Sequence, residues 1–152
     1  MQRKLLAALL LTIPGSVFAA DLMVGTWKLN LDKSHFNPGP GPKSVTMRIS
    51  EAGDWLDSKV DAVDETGKPV NRSSRYKMDG GEYPYDAPQG KGTITIKNLD
   101  DHHATATIKF AGDNTLTQHS VISANGKTRT VTTTGTDAKG RSVTNTVVWE
   151  RQ

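Results

Sequence analysis

The chain has 152 residues, 35% of them hydrophobic, with no cysteine and a formal charge of +3; this excludes a disulfide scaffold, a Cys-ligated zinc site and a thiol enzyme. Charges alternate in sign without a block of five or six alike, so no nucleic-acid surface is predicted. Eighteen threonines, 14 glycines and seven prolines favour strands and turns.

Residues 1–19 read as an export leader. Arg3 and Lys4 supply a positive end, residues 5–13 a short apolar run, Pro14 and Gly15 a break, and Val17-Phe18-Ala19 a small residue before a cut after Ala19 or Ala20. No run of about 20 apolar residues follows, and no cysteine stands at the cut for lipid attachment. The expectation is a protein free in the periplasm or secreted, without a membrane anchor. Losing Arg3 and Lys4 leaves 17 basic residues against 16 acidic ones. Residues 20–152 are expected to form one monomeric domain, large enough to be stable without cross-links.

Period-two alternation of apolar and polar residues recurs through this domain, punctuated by turn chemistry. A first strand is predicted over residues 26–31, where Trp27, Leu29 and Leu31 share a face. In Asn37-Pro38-Gly39-Pro40-Gly41-Pro42 three prolines remove amide donors, which makes a rigid, extended loop. Val45, Met47 and Ile49 alternate in the next strand, and Leu56, Ser58, Val60 and Ala62 in its hairpin partner beyond Ala52-Gly53. After Glu65-Thr66-Gly67-Lys68, residues 70–78 place Arg72, Ser74 and Tyr76 on the face of Val70. Asp79-Gly80-Gly81 reads as a turn, and residues 83–92, with their prolines and glycines, as at most a short strand. Further strands are predicted over 93–99, 104–110, 115–123, 127–136 and 141–151, with Asn125-Gly126 the strongest hairpin signal. The sum is an all-β, up-and-down antiparallel meander of 8–10 strands, closed into a barrel because closure removes exposed edges.

Gly25-Thr26-Trp27-Lys28-Leu29 near the start and Thr146-Val147-Val148-Trp149-Glu150-Arg151 at the end resemble the opening and closing strands of the calycin barrels, which include lipocalins and fatty-acid-binding proteins. With Lys33-Ser34 and the Pro-Gly loop, the pattern is similar to that of secreted bacterial lipocalin-like proteins. The resemblance implies that Trp27 lies across the barrel floor and that Arg151 packs over it. It departs from the intracellular fatty-acid-binding proteins in two places. The Pro-Gly loop stands where they have a helix-turn-helix lid, and Val147 and Trp149 stand where they carry an Arg-x-Tyr carboxylate anchor.

If Trp27 and Leu29 face inward, so do Val45, Met47, Ile49, Val70, Ile94, Ile96, Ala106, Ile108, Leu116, Val147 and Trp149, together with Arg72, Tyr76, Gln118, Ser120 and Asn145. A one-residue slip of register would turn these polar groups to solvent instead. Inside, they would be costly without partners, which predicts water or a ligand among them. Arg72, Tyr76 and Gln118 are expected to orient the polar end of a ligand, and Met47, Ile96, Ile108, Val147 and Trp149 to contact its apolar body. Arg129, with Val131, could face either side of its strand.

Asp100-Asp101-His102-His103 is the most metal-like cluster, but adjacent strand residues point to opposite faces, and a solvated hairpin tip is the simpler reading. His35 and His119 stand alone. Asp54, Asp57, Asp61, Asp64 and Glu65 alternate with lysine on a strand expected to face solvent. There is no Gly-x-Ser-x-Gly elbow or nucleotide loop, and no cofactor or catalytic constellation is expected. The leading expectation is an exported, non-catalytic protein holding a small, largely apolar molecule. The alternative is a protein-binding module, such as a protease or lysozyme inhibitor, presenting the loop over residues 37–42 to a partner. A barrel-enclosed enzyme ranks third.

Overall fold

The alternation becomes ten antiparallel strands in the computed structural model, which describes residues 19–152. They are β1 (Gly25–His35), β2 (Ser44–Ala52), β3 (Trp55–Val63), β4 (Pro69–Tyr76), β5 (Asp79–Ala87), β6 (Gly90–Asn98), β7 (His103–Lys109), β8 (Thr115–Ile122), β9 (Thr128–Thr136) and β10 (Ser142–Arg151). A short helix, α1 (Ala19–Met23), precedes them. Residues 1–18, which carry most of the expected leader, lie outside the described residues. Among those described, no helix is long and apolar enough to cross a membrane.

Each strand pairs with its sequence neighbours except across β4 and β5, and β1 pairs with β10 as well as β2, giving the order β4-β3-β2-β1-β10-β9-β8-β7-β6-β5. Joining the first strand to the last curls the meander into a nearly closed barrel. Closure is by side chains at one seam, between β4 and β5, where no backbone ladder forms. There the Asp86 amide donates to the Ser74 hydroxyl at 3.1 Å, Tyr76 meets Tyr85 edge-on with ring centroids 6.1 Å apart, and Trp55 meets Tyr83 at 5.2 Å.

The register is the one that puts Trp27 inside. In β2, Val45, Met47 and Ile49 are buried while Arg48 and Ser50 are exposed. The inner faces form a cluster running from Met23 and Trp27 to Ile108, Phe110 and Leu116. Full burial of one such aliphatic side chain contributes about 1.5–3 kcal/mol.

Two elements differ from expectation. Residues 83–92 are not a loop with a short strand: β5 runs nine residues and β6 starts at Gly90. Pro84 is tolerated because β5 is an edge strand, where one side needs no amide donor. The expected turn at Asp79-Gly80-Gly81 enters β5 as an irregularity, with the register shifting between Asp79 and Glu82 and the Asp79 carboxylate accepting from the Gly81 amide at 2.8 Å. The first strand also outruns residues 26–31, reaching His35 through a break in register after Asn30. Ser34 bridges the break: its hydroxyl donates to the Asn30 carbonyl at 2.6 Å and accepts from the Val148 amide at 3.0 Å.

The meander sorts its connections to two ends. The turns β2–β3, β4–β5, β6–β7 and β8–β9 lie with α1 at a floor; the Pro-Gly connection β1–β2 and the turns β3–β4, β5–β6, β7–β8 and β9–β10 surround a mouth.

Candidate ligand cavity

The floor is built on Trp27, which is 0% exposed. Its indole N–H donates to the Met23 carbonyl at 2.9 Å. The Arg151 guanidinium lies over the ring, 4.3 Å from its centroid. It also donates to the carbonyls of Gly126 at 2.8 Å, of Val24 and of Leu22. One cation thus ties together the chain before β1, the β8–β9 turn and the last strand. The ring contact adds about 0.5–2 kcal/mol, with the upper end reached where water is excluded.

At the mouth the Pro-Gly loop is pinned to β10. The Asn145 side-chain oxygen accepts from the Asn37 amide at 2.8 Å, and the Thr144 amide donates to the Asn37 carbonyl at 2.7 Å. The β9–β10 turn is organised by Asp137, whose carboxylate is wholly buried. It accepts from the Lys139 amide, the Arg141 amide and the Arg141 guanidinium at 2.8–2.9 Å. Burial alone would raise its pKa, but those donors and the charge of Arg141 outweigh burial and hold it below the usual carboxylate range.

Between floor and mouth lies a cavity of about 540 Å³. Seven of the eight residues expected at a ligand site line it: the polar Arg72, Tyr76 and Gln118, and Met47, Ile96, Val147 and Trp149. Ile108 does not. It is wholly buried in the core cluster, flanked across the sheet by Ile94 and Leu116, and its surface is used in packing.

Polar groups reach the cavity from β4, β5, β8 and β9. The Arg129 Nε donates to the Ser120 hydroxyl at 2.8 Å, and the Gln118 amide donates to the Thr133 hydroxyl at 3.3 Å. Tyr76 packs against Tyr85, and burial pushes both phenols above their ordinary range. Burial likewise pulls the Arg129 guanidinium down. Arg72 and Arg129 both act electrostatically on Tyr85. The Arg72 Nε is buried with no hydrogen-bond partner.

Arg129, Tyr85, Ser120 and Thr133 are members of this cluster that the sequence reading did not assign to a ligand, although it placed Ser120 on the inward face. For Arg129 the signal was its alternation with Val131 and Thr133, both buried. Tyr85 was hidden by the loop reading of its segment.

The other clusters are used locally. Asp100 accepts from the backbone amides of His102 and His103 at 2.8 Å and lies 2.7 Å from the His103 ring nitrogen, organising the β6–β7 turn. Among the described residues no three His, Asp or Glu side chains are placed to hold a metal ion. Asp57 and Asp61 form exposed ion pairs with Arg75 and Arg48, of the kind that contributes about 1 kcal/mol or less.

This combination of ten meandering strands, an internal cavity open at the mouth and a tryptophan floor defines a nearly closed barrel of the lipocalin and fatty-acid-binding-protein fold. No protein family and no curated protein sequence matches the chain; the likeness is to solved structures. Zebrafish ileal bile acid-binding protein complexed with cholic acid is similar with a TM-score of 0.51 and 14% identity, over 86% of this chain and 99% of that one. As-p18, an extracellular fatty acid binding protein, is similar with a TM-score of 0.57 and 16% identity, over 89% and 99%. An S-type phycobiliprotein lyase from Guillardia theta is similar with a TM-score of 0.55 and 12% identity, over 88% and 90%. At these identities the likeness is one of fold.

Proposed function

We propose that this chain is an exported, non-catalytic binding protein that holds one small, largely apolar molecule inside its barrel. The observation that carries the reading is the cavity itself. Small barrels either fill with side chains or enclose a ligand, and about 540 Å³ between the Trp27 floor and the Pro-Gly mouth falls within the range of small-molecule sites, roughly 300–1,000 Å³. Two of the similar structures are, by name, bile-acid- and fatty-acid-binding proteins, which supports the reading. The third is a lyase, and fold alone does not set function; the non-catalytic part of the reading is supported by the two binding proteins.

Export rests on the leader-like residues 1–19. A cut after Ala19 or Ala20 would keep Leu22 and Val24, whose carbonyls Arg151 holds. The loop over residues 37–42 serves in this reading as the rim of the cavity, since Pro38 to Pro42 line it, rather than as a probe for an enzyme cleft.

Titration with the neutral probe N-phenyl-1-naphthylamine tests the proposal. Saturable binding of one probe per chain is expected, with energy transfer from Trp149, which lines the cavity. Val147→Phe should narrow the cavity and weaken binding at least tenfold while the circular dichroism spectrum stays that of a β protein. Fluorescence that rises without saturation, or equal binding by Val147→Phe, would contradict an internal site.

A further inference from the structure

Two guanidinium groups line the cavity from opposite walls, Arg72 on β4 and Arg129 on β9, and both act electrostatically on Tyr85. Burying a cation is costly unless it is paired, yet neither forms an ion pair with any described carboxylate. Arg129 spends its Nε on the neutral Ser120 hydroxyl, and the buried Nε of Arg72 has no partner at all. The carboxylates that line the cavity come from its mouth. Asp137 is occupied by Arg141, Asp64 accepts from its own turn, and Glu65, beside it on that turn, and Asp86, which acts on Tyr85, bond neither guanidinium. The neutral groups that line the cavity with the two cations include the Tyr76 and Tyr85 phenols, Gln118 and Ser120. Leu29, Val45, Ala62, Val70 and Val147 supply an apolar stretch of the wall.

We infer that the ligand is an amphipathic molecule whose acidic head carries two negative charges, seated between Arg72 and Arg129 with its apolar body directed toward the Pro-Gly mouth. The inference rests on the cavity-binding reading above and adds the class of ligand. Two uncompensated guanidiniums match a dianion, and their planar forks match the oxygen pairs of a phosphate monoester or of two carboxylates. A neutral lipid would leave both cations unpaired, and a singly charged head would leave one.

Competition against bound N-phenyl-1-naphthylamine at about pH 8.5, where a phosphate monoester is doubly charged, separates these cases. Decyl phosphate and decylmalonate supply dianions of two shapes, decyl sulfate and decanoate supply monoanions, and decanol supplies none. The dianions are expected to bind at least tenfold more tightly than either monoanion, and decanol most weakly. In Arg72→Met and Arg129→Met the ratio of decyl phosphate to naphthylamine affinity should fall at least tenfold. Arg72→Lys and Arg129→Lys, which keep the charge, should lose less and cover the case in which burial of methionine at position 129 prevents folding.

Monoanions binding within threefold of the dianions, or a preference unchanged in folded Arg72→Met, would overturn the inference while saturable naphthylamine binding leaves the cavity reading standing. Failure of the naphthylamine itself to bind would overturn both. If decyl phosphate and decylmalonate differ by more than tenfold, the tighter of the two identifies the head as phosphate or dicarboxylate and supports the inference.

Discussion

Trp27→Ala is expected to destabilise the protein by about 3–5 kcal/mol, the cost of truncating a fully buried aromatic side chain to alanine. Three losses combine at this position. The indole leaves a void at the centre of the floor, since Trp27 is wholly buried among Met23, Met47 and their neighbours. The Met23 carbonyl loses its donor. The Arg151 guanidinium, which lies on the ring while holding three backbone carbonyls, loses the surface that shields it. Trp27→Phe keeps most of the ring and gives up the N–H bond, so it should cost less, about 1–2 kcal/mol. Urea denaturation monitored by circular dichroism gives both values. A cost below about 1 kcal/mol for the alanine variant would mean that Trp27 does not close the floor.

Gly135→Val should be comparably damaging, at about 2–6 kcal/mol, for a backbone reason. Gly135 has φ +132°, which a β-branched residue does not adopt without strain, and a Cβ there would stand 2.2 Å from the Thr115 carbonyl oxygen on β8. Backbone strain of about 1–3 kcal/mol adds to overpacking of about 1–3 kcal/mol. The obstructing atom is main chain, so no rotamer change relieves it. Gly53, at φ +62° with open space around it, provides the control: Gly53→Asn should cost much less, because asparagine tolerates the left-handed region. Equal denaturation midpoints for the two variants would show that Gly135 is not held by the approach of β8.

The fold was legible in the sequence wherever one face of a strand is dry and the other wet. Val45, Met47 and Ile49 against Thr46, Arg48 and Ser50 fix both the strand and its register. The same alternation carried Arg72 and Tyr76 to the inside even though they are polar, because they share a face with Val70. Legibility failed where period two is broken by residues whose tolerance depends on tertiary position. Pro84 suits β5 only because β5 lies at the seam, and a seam is a property of the closed sheet that no local window contains. Tyr85 was lost with that strand. Arg129 sits in a run of threonines, which suit either face of a strand, so the flanking residues gave it no side until the pairing with Ile122 and Trp149 did. Ile108 was placed on the correct face but not at the correct depth, since depth depends on the neighbours Ile94 and Leu116 across the sheet. Helix α1 escaped because its first residues, Ala19 and Ala20, read as the end of a leader and the three that follow are too few to show a helical period. The cavity was legible only as a conflict, namely polar side chains on an inward face with no partners in sight, and the structure places Arg72, with its unpaired nitrogen, at that spot.

Native mass spectrometry of the chain purified without denaturant from the compartment in which it accumulates asks most directly whether the barrel is hollow and occupied. One small-molecule adduct per chain is predicted, released on mild collisional activation and diminished in Val147→Phe. A spectrum holding only the bare polypeptide mass, both as purified and after incubation with N-phenyl-1-naphthylamine, would mean that the interior binds nothing.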